Sequence, residues 1–307
     1  MKKFEHELNY KATIITPFHN TDIDIFKETF KSVKAQTIGF ENIEWVIVLH
    51  NCEQKYIDAV KELAAGHENV KLKELKNNSR SASSPRNYGL NFINSPYVEF
   101  LDSDDTINEK TIETCIDVMA RHKPQVVVFR MAYKKQNESV TSVITDVTLW
   151  NPLKEEIVLT GEKLRCKELF SSINLCLLHN RFFDADYIKR NNFKFDEEII
   201  MAEDVHFTLL CYEKAEKIVV LPQFIGHNYF VNSKSAVQNS VRSREVTLKF
   251  SYGYKKIFDL LLNMGAYYNH FFITLLNLYV KSAYRSPDFT AEDWATLRRE
   301  MGPYAKM

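Results

Sequence analysis

The stretch Tyr97-Val98-Glu99-Phe100-Leu101-Asp102-Ser103-Asp104-Asp105 passes from an apolar strand pattern directly into three clustered acidic residues. Clustered carboxylates repel one another and lose hydration as they approach, so this is an unfavourable way to end a strand. A divalent cation such as Mg²⁺ or Mn²⁺ removes the conflict, because it takes carboxylate ligands and bridges to substrate phosphates. The alternative is that these residues only form a turn and cap the helix predicted over 109–121. The stretch therefore predicts a strand that ends in either a metal site or a capped turn.

Around this stretch, strand-like segments alternate with segments of helical spacing. The predicted strands cover 11–17, 44–49, 70–75, 97–101 and 125–130, and the predicted helices cover 23–35, 55–65, 85–93 and 109–121. This alternation predicts an α/β fold with a mostly parallel sheet and helices on both faces. Ligands of such sheets bind outside the carboxyl ends of the strands, which is where the acidic cluster falls.

The rest of the chain is less regular. The polar stretch 131–168 is typical of a hairpin or flap, and the aromatic-rich stretch 246–284 has the spacing of two helices broken near Gly265. We expect these helices to pack onto the domain or onto a second copy. Membrane-surface docking is less favoured, because it would need a polar face richer in Lys and Arg.

Composition excludes several classes of protein. The chain has 307 residues, an apolar fraction of 45%, and 40 basic residues against 40 acidic ones, so no overall field favours nucleic acid. Its five cysteines are scattered and include no Cys-x-x-Cys pair, which argues against a disulfide framework or zinc site and fits the reducing cytoplasm. The first residues lack the apolar core of a signal peptide, and no uncharged apolar run is long enough to span a bilayer. We therefore expect a soluble, cytoplasmic protein.

Several segments in order resemble the motifs of the family 2 glycosyltransferases with the GT-A fold, of the bacterial cell-surface polysaccharide and teichoic-acid type. They are 13–20, 29–37, 83–90, the Asp-x-Asp segment 100–105, and the pieces 179–183, 195–197 and 202–207. The resemblance extends from about Ala12 to Val237. It implies a GT-A, Rossmann-like catalytic domain over 1–240, with a helical extension over 241–307 for packing, acceptor or oligomer contacts.

The resemblance also implies an activity. Members of this family are inverting, metal-dependent enzymes that move a sugar from a nucleotide-diphosphate donor to a hydroxyl group. The implied acceptors are a glycan, a polyol-phosphate polymer or a lipid-linked molecule, the implied sugar is a hexose or N-acetylhexosamine, and the implied cofactor is Mn²⁺ or Mg²⁺. Peripheral association with the inner face of the membrane and a homo-oligomer are left open.

Position by position, the resemblance assigns the metal and catalytic roles. Asp104 becomes the direct metal ligand, Asp102 belongs to the ribose or metal shell, and Asp204 becomes the general base. Alternatively, the acidic pair that contains Asp204 only stabilises the first turn of a helix. His227 or Lys234 is expected to contact the metal or phosphate; the alternative is that His227 is a buried or rim histidine.

The same comparison predicts the nucleotide-binding residues. They are Pro17, His19, His50, Asn51, Arg86, Asp102 and Ser103. Arg86 has two open roles, as a cation facing the diphosphate or as a strut that pairs with Asp102 or Asp104. For Asp105 we expect a helix-capping role in preference to metal binding.

The chain departs from the family after its second strand. The family commonly has Asp-Asp-Gly-Ser there, and the acid reads the base of a uridine donor, whereas this chain has Leu49-His50-Asn51-Cys52. A neutral imidazole accepts a hydrogen bond more weakly than a carboxylate, so the donor nucleotide stays open. The departure also leaves a second hypothesis, an inactive GT-A scaffold that acts as a binding subunit. A nucleotidyltransferase is excluded, because 17–20 lacks a glycine- and lysine-rich loop.

Overall fold

A mixed sheet of ten strands forms the centre of the chain. The computed structural model describes residues 10–79, 81–135, 142–143, 155–165, 177–231, 244–264, 286 and 288–305. Lys234, the second helix predicted within 246–284 and most of the predicted flap lie outside these residues. The strands are β1 (Ala12–Phe18), β2 (Ile43–His50), β3 (Val70–Leu75), β4 (Tyr97–Phe100), β5 (Thr106–Ile107), β6 (Val126–Lys135), β7 (Ser142–Val143), β8 (Ile157–Thr160), β9 (Arg181–Asp184) and β10 (Lys217–Val231).

The predicted parallel sheet is present in the first half of the strand order β3-β2-β1-β4-β9-β6-β10-β5. Strands β3, β2, β1 and β4 are parallel to one another, as expected where helices connect them. Strand β9 then enters antiparallel between β4 and β6. Strands β6 and β10 pair in parallel, and the short β5, β7 and β8 pair antiparallel with their neighbours. The α/β prediction is thus confirmed, with a sheet more mixed than the alternation indicates.

Helices cover both faces of the sheet. They are α1 (Ile23–Lys34), α2 (Gln54–Ala64), α3 (Ser83–Leu90), α4 (Thr111–His122), α5 (Ala185–Asn191), α6 (Glu203–Lys214), α7 (Arg244–Met264) and α8 (Ala291–Ala305). The alternation along β1 separates the two apolar cores. Ile14 belongs to the core shared with α1, α2 and α4, whereas Ile15 belongs to the core shared with α5, α6, α7 and α8.

The C-terminal helices pack onto the second of these cores. Tyr254, Ile257 and Phe258 of α7 are buried there, and the rings of Phe258 and Tyr304 lie 5.4 Å apart between centroids. For α7 and α8, packing onto the domain is therefore the arrangement observed. None of the helices within the described ranges has the length and apolar character needed to cross a membrane.

The polar carboxyl ends of β1, β2 and β4 meet at one edge of the sheet, as the alternating pattern predicts. Pairing in register brings Pro17 beside Val48 and Phe18 beside Leu49, while Ile15 lies beside Phe100. Residues that follow these strands are therefore neighbours in space although they are far apart in sequence. Of the five cysteines in the sequence, the three that the structure describes, Cys52, Cys115 and Cys211, are free thiols.

Candidate active site

A cavity of about 770 Å³ lies at this edge of the sheet. Among the residues that the structure describes, every site residue predicted from the sequence lines it, with the exception of His227. These lining residues are Pro17, His19, His50, Asn51, Arg86, Asp102, Ser103, Asp104 and Asp204. Segments separated by more than a hundred positions thus converge on one pocket, which is the arrangement expected of a ligand site in an open α/β sheet.

The acidic cluster after β4 is drawn tightly together. One carboxylate oxygen from each of Asp102, Asp104 and Asp105 lies within 4.8 Å of the others. Burial, followed by the negative charges of Asp105 and Asp102, raises the pKa of Asp104 to about 7. Burial acts in the same direction on Asp102, but the positive charges of Arg86 and His179 oppose it and lower the pKa of Asp102 to about 2. The cluster is therefore electrostatically strained at Asp104, where a cation would relieve it.

Asp105 does not cap a helix, so that prediction is wrong. Helix α4 begins at Thr111, and its N-cap residue, Lys110, makes no side-chain capping bond. Asp105 is instead 1% exposed and turns back towards β10. Its Oδ2 lies 2.9 Å from Nε2 of His227, and its Oδ1 accepts a hydrogen bond from the backbone N–H of Phe230 at 2.9 Å. The pairing of Asp105 with His227 could not be predicted from the local sequence, because β10 is far from Asp105 along the chain.

Arg86 forms a buried bridge between two parts of the site. The side chain is 2% exposed; its Nη2 donates to Oδ1 of Asp102 at 2.8 Å, and its Nη1 donates to Oε1 of Glu203 at 2.9 Å. Of the two roles left open by the sequence, the strut is the one seen here, with Asp102 and Glu203 as its ends. Burial and the charge of Asp204 raise the pKa of Glu203 to about 7 against the opposing charge of Arg86.

Asp204 lies in the first turn of α6 and faces the cavity. Its side chain is 15% exposed and takes no hydrogen bond from any described residue; Nε2 of His179 lies 4.0 Å from its Oδ2. Glu203, in contrast, is occupied by Arg86. Ala202, the residue just before the pair, has φ 64°, a left-handed conformation that is uncommon outside glycine and tends to occur at functional sites. The acid of the pair that is free to accept a proton is therefore Asp204.

His179 is a site residue that the sequence did not single out. It is 9% exposed and lines the cavity, with Nδ1 3.7 Å from Oδ2 of Asp102 and Nε2 4.0 Å from Oδ2 of Asp204. It precedes β9, and it reaches the acidic cluster only because β9 inserts antiparallel beside β4. A histidine just before a strand is only a weak sequence signal for a functional site. The local sequence around β9 also does not predict that this strand pairs antiparallel with β4.

His227 lies behind the cavity wall and is fully buried. Its ring centroid is 5.6 Å from that of His179, and the two imidazoles and Asp105 each offer a ligand atom within 4.8 Å of the others. Nδ1 of both histidines has no hydrogen-bond partner among the described residues. A metal role for His227 therefore stays a prediction. Tyr229, also missed from the sequence, adds a cavity-lining ring whose pKa is raised by burial and by Asp105.

Residues of the loops after β1 and β2, together with Ser103 in the loop after β4, also line the cavity. His19 is exposed, and its Nδ1 donates to the backbone carbonyl of His50 at 2.7 Å. Ser103 is held through its hydroxyl by Thr21, and its carbonyl accepts a hydrogen bond from Thr29 at 3.0 Å. These hydrogen bonds fix loop residues that line the same cavity as the acidic cluster.

Comparison with known proteins places the chain in a family. The sequence profile of glycosyl transferase family 2 matches residues 13–190, which is more than half of the chain. The minor teichoic acid biosynthesis protein GgaB of Bacillus subtilis is 34% identical over 122 residues, 40% of this chain and 13% of GgaB. The poly(ribitol-phosphate) beta-N-acetylglucosaminyltransferase TarS of Staphylococcus aureus is 26% identical over 211 residues, 69% of this chain and 34% of TarS. The chain thus spans only a fraction of the length of these relatives.

Solved structures agree on the fold. The crystal structure of S. aureus TarS matches with a TM-score of 0.69 at 20% identity, over 96% of this chain and 49% of TarS. TarS 1–349 in complex with UDP-GlcNAc matches with a TM-score of 0.65 at 19% identity, over 96% and 92% of the two chains. The mannosyltransferase PcManGT of Pyrobaculum calidifontis, in complex with GDP-Man and Mn²⁺, matches with a TM-score of 0.56 at 14% identity, over 98% and 82%. At these identities the likeness shows a shared GT-A fold.

Proposed function

This chain belongs to glycosyl transferase family 2, and from that premise we propose that it transfers a sugar from a nucleoside diphosphate to a hydroxyl group of a polyol-phosphate polymer. One observation carries the proposal. A single cavity holds the acidic cluster of Asp102 and Asp104 on one side and Asp204, without a hydrogen-bond partner among the described residues, on another. A module that only bound a nucleotide would not need both a cation site and a free base.

The donor part of the proposal draws on structural neighbours. TarS has been crystallised with UDP-GlcNAc, and PcManGT with GDP-Man and Mn²⁺. Sugar nucleotides of this kind carry a diphosphate, and the carboxylates after β4 suit a cation that bridges to it. UDP-GlcNAc is therefore the first donor to test.

The residues present fit a divalent cation. Asp104 has a pKa raised by burial and by like charges, and His179, His227 and Asp105 each offer a ligand atom within 4.8 Å of the others. Asp102, Asp104 and Asp105 would hold the ion, with His227 as a nitrogen ligand, and both Mn²⁺ and Mg²⁺ accept carboxylate oxygens. When bound, the ion would act as a Lewis acid that neutralises the charge of the departing diphosphate.

Asp204 supplies the base. Its carboxylate takes the proton from the acceptor hydroxyl as the hydroxyl oxygen forms a bond to the anomeric carbon of the sugar. The bond from that carbon to the diphosphate oxygen breaks, and its electron pair leaves with the nucleoside diphosphate. A single displacement of this kind inverts the anomeric configuration, and general-base assistance contributes about 10²- to 10⁴-fold to such a step.

Arg86 keeps the two halves of this machinery in place. It is bonded to Asp102 beside the donor and to Glu203 beside the base, so it fixes their separation. Its own donors are directed at carboxylates, and for that reason we assign it a positioning role and not a direct contact with diphosphate. His179, between Asp102 and Asp204, fills the space that links them.

We propose the acceptor from the activities named for the similar proteins TarS and GgaB. TarS is a poly(ribitol-phosphate) transferase, and GgaB takes part in the synthesis of minor teichoic acid. A polyol-phosphate chain offers many hydroxyl groups beside negative phosphates, so a polymer of this type is our proposed acceptor. The free cysteines fit a cytoplasmic setting, whereas association with the membrane or with a second copy stays a prediction.

The test is transfer of labelled sugar from UDP-GlcNAc to poly(ribitol phosphate) in the presence of Mn²⁺. We expect Asp204→Asn to lose at least about 10²-fold in rate while its affinity for UDP stays within about twofold. Asp186→Asn is the matched control, because Asp186 is the exposed second residue of α5 as Asp204 is the second residue of α6. Transfer by Asp204→Asn at the wild-type rate would exclude the proposed base.

The inactive scaffold is the competing outcome of the same test. It would be favoured if the folded wild-type chain bound UDP but transferred no sugar from UDP-GlcNAc or UDP-glucose to polymer or water. This alternative is considered because His50 stands where the family commonly has an acidic residue.

A further inference from the structure

The residue that replaces the family's base-reading acid is held by a network of side chains. His50 ends β2, lines the cavity, and is 6% exposed. Its neighbour Asn51, also on the cavity wall, has φ 51°, so the chain turns sharply there. What His50 offers to a ligand depends on which ring nitrogen carries the proton.

The orientation of the Asn77 amide is determined by its neighbours. The backbone N–H of Ser79 points at Oδ1 of Asn77 at 3.0 Å, and an N–H requires an acceptor. The other amide atom, Nδ2, lies 2.7 Å from the hydroxyl oxygen of Ser84 and donates to it. Oδ1 is therefore the oxygen, and it can only accept.

This orientation fixes the proton on His50. Nε2 of His50 lies 2.8 Å from Oδ1 of Asn77, so Nε2 must be the donor. Nδ2 of Asn51 also approaches Nε2, at 3.1 Å, but its two hydrogens are directed to the carbonyls of Asn77 and Ser79 at 2.9 and 3.3 Å. Oδ1 of Asn51 accepts a hydrogen bond from the backbone N–H of Asn77, so Nδ2 of Asn51 is the amide nitrogen. The approach of Nδ2 to Nε2 of His50 is therefore a contact between two donors, and it does not change the assignment of the proton to Nε2.

In the neutral imidazole, a proton on Nε2 leaves the lone pair on Nδ1 as a hydrogen-bond acceptor. His50 makes no hydrogen bond through Nδ1 with any described residue, and the ring borders the cavity. Uracil presents an N–H donor at its N3 position, whereas cytosine presents a bare nitrogen acceptor there. An acceptor on the protein thus matches uracil and opposes cytosine.

We propose that Nδ1 of His50, held in this tautomer by Asn77, accepts the N3–H of uracil and makes the enzyme selective for uridine diphosphate donors. The inference rests on the proposed function and deepens it by naming the base. Imidazole replaces the usual carboxylate as acceptor, and Asn77 does the work of keeping its lone pair available. The departure at 49–52 is then a change of reading group and not a loss of nucleotide binding.

A site built to bond one partner discriminates by leaving a polar group unpaired against the other. We expect the wild-type chain to bind UDP roughly tenfold or more tightly than CDP, the factor that corresponds to one hydrogen bond. In His50→Phe the affinity for UDP falls, and the UDP-to-CDP ratio drops to within about threefold. General damage to the pocket would weaken both nucleotides together and leave the ratio unchanged.

Two further variants separate the acceptor from the ring. His50→Asp restores a carboxylate acceptor and should keep the preference for UDP. Asn77→Asp keeps the ring but favours the doubly protonated imidazole, whose Nδ1 is a donor, and should move the preference towards CDP. His67→Phe is the control, because His67 packs between Phe30 and Phe40 and is not part of the cavity.

The experiment is calorimetric titration of each variant with UDP and with CDP, in Mn²⁺, after circular dichroism has shown the variant folded. A ratio that drops in His50→Phe and Asn77→Asp but persists in His50→Asp and His67→Phe supports the inference. A wild-type preference for CDP, or an undiminished ratio in His50→Phe, overturns it while nucleotide binding still supports the proposed function. If the chain binds GDP but neither UDP nor CDP, only the inference is overturned. If it binds none of the three nucleotides, the proposed function is overturned as well.

Discussion

Nη2 of Arg86 donates to Oδ1 of Asp102 at 2.8 Å, although the side chain of Arg86 is only 2% exposed. A buried cation with two acidic partners is costly to disturb, because removing it leaves two carboxylates uncompensated. The positions of Asp102 and Glu203 therefore depend on Arg86, for which the sequence leaves two roles open, a contact with the diphosphate or a structural strut.

Arg86→Leu should therefore reduce stability sharply. We expect the free energy of unfolding, measured by urea at pH 7, to fall by about 3 kcal/mol or more. Arg121→Leu is the control, since Arg121 is 46% exposed and pairs with Asp117 and Glu156 on the surface, where solvent screening leaves such pairs with little effect on stability. Equal losses in the two variants would contradict the role of Arg86 as a buried strut.

Helix α7 packs against the loop that precedes α6, the helix whose first turn carries Asp204. Its Tyr252 donates to Glu198 at 2.7 Å, and its Gly253 leaves no room for a side chain, because a Cβ there would lie 2.8 Å from the carbonyl oxygen of Met201. Gly253→Ala must push this loop and Asp204 behind it. We predict a fall in kcat of roughly tenfold or more, because small displacements of catalytic groups are costly, with the affinity for UDP little changed.

Gly302→Ala is the matched variant, because Gly302 lies in α8 and a Cβ there meets nothing within 4 Å. Alanine stabilises a helix relative to glycine by about 0.5–1 kcal/mol, so this variant should be as active as the wild type and slightly more stable. Unimpaired kcat in Gly253→Ala would show that the loop does not depend on close packing with α7.

We predict opposite effects on stability when each of two buried glutamates of the sheet, Glu44 and Glu99, is replaced by an apolar residue. Glu44 accepts hydrogen bonds from Thr13 at 2.8 Å and from the N–H of Asn94 at 2.9 Å, whereas neither oxygen of Glu99 has a partner among the described residues. Burial raises the pKa of Glu99 well above its usual value. Its folded-state pKa therefore exceeds the unfolded value of about 4.3.

A raised carboxyl pKa stabilises the folded state most at low pH, and the stability is lost as pH rises from the unfolded pKa towards the folded one. Glu99→Met should remove this loss. Its free energy of unfolding should exceed that of the wild type by an amount that grows between pH 5 and 7, at up to about 1.4 kcal/mol per pH unit. Glu44→Met should instead destabilise at every pH, and a pH-independent difference for Glu99→Met would contradict the assignment.

The acidic cluster predicts a pH-dependent response to metal. The pKa of Asp104 is raised by burial and by Asp105 and Asp102 to about 7, against about 3.9 in the unfolded chain. Stability without metal should thus fall as pH rises between these values. Mn²⁺ should raise the melting temperature more at pH 8 than at pH 6. Asp104→Asn in EDTA at pH 8 should be more stable than the wild type by about 2 kcal/mol and gain little from Mn²⁺.

Much of the site follows from local pattern and one topological rule. Asp102 and Asp104 follow an apolar strand, His50 follows another, and the carboxyl ends of parallel strands share an edge, so their convergence could be predicted. His179 could not, because its place depends on β9 entering antiparallel beside β4. The partner of Asp105 was missed for a similar reason, since His227 comes from the long β10, far along the chain.

The pairing of Arg86 with Glu203 is a further case that spacing does not reveal. The sequence offered Asp102 and Asp104 as partners, but the second end of the bridge is on α6. Contacts between distant elements are decided by packing, which no short motif encodes. The residues that we predict to bind the metal and nucleotide or to act as the base stand at strand ends and a helix start, which carry recognisable local signals, and the family resemblance supplied their predicted roles.

The most direct test of the central claim is calorimetric titration with UDP, in Mn²⁺ and in EDTA, of the wild type and of Asp104→Asn. We predict that the wild type binds UDP with Mn²⁺ and loses roughly tenfold or more in affinity with EDTA. Asp104→Asn should show only the weak, EDTA-like affinity in both solutions. UDP binding by the wild type that is equally tight with EDTA, or a metal effect that survives in Asp104→Asn, would contradict a metal-dependent donor site at the end of β4.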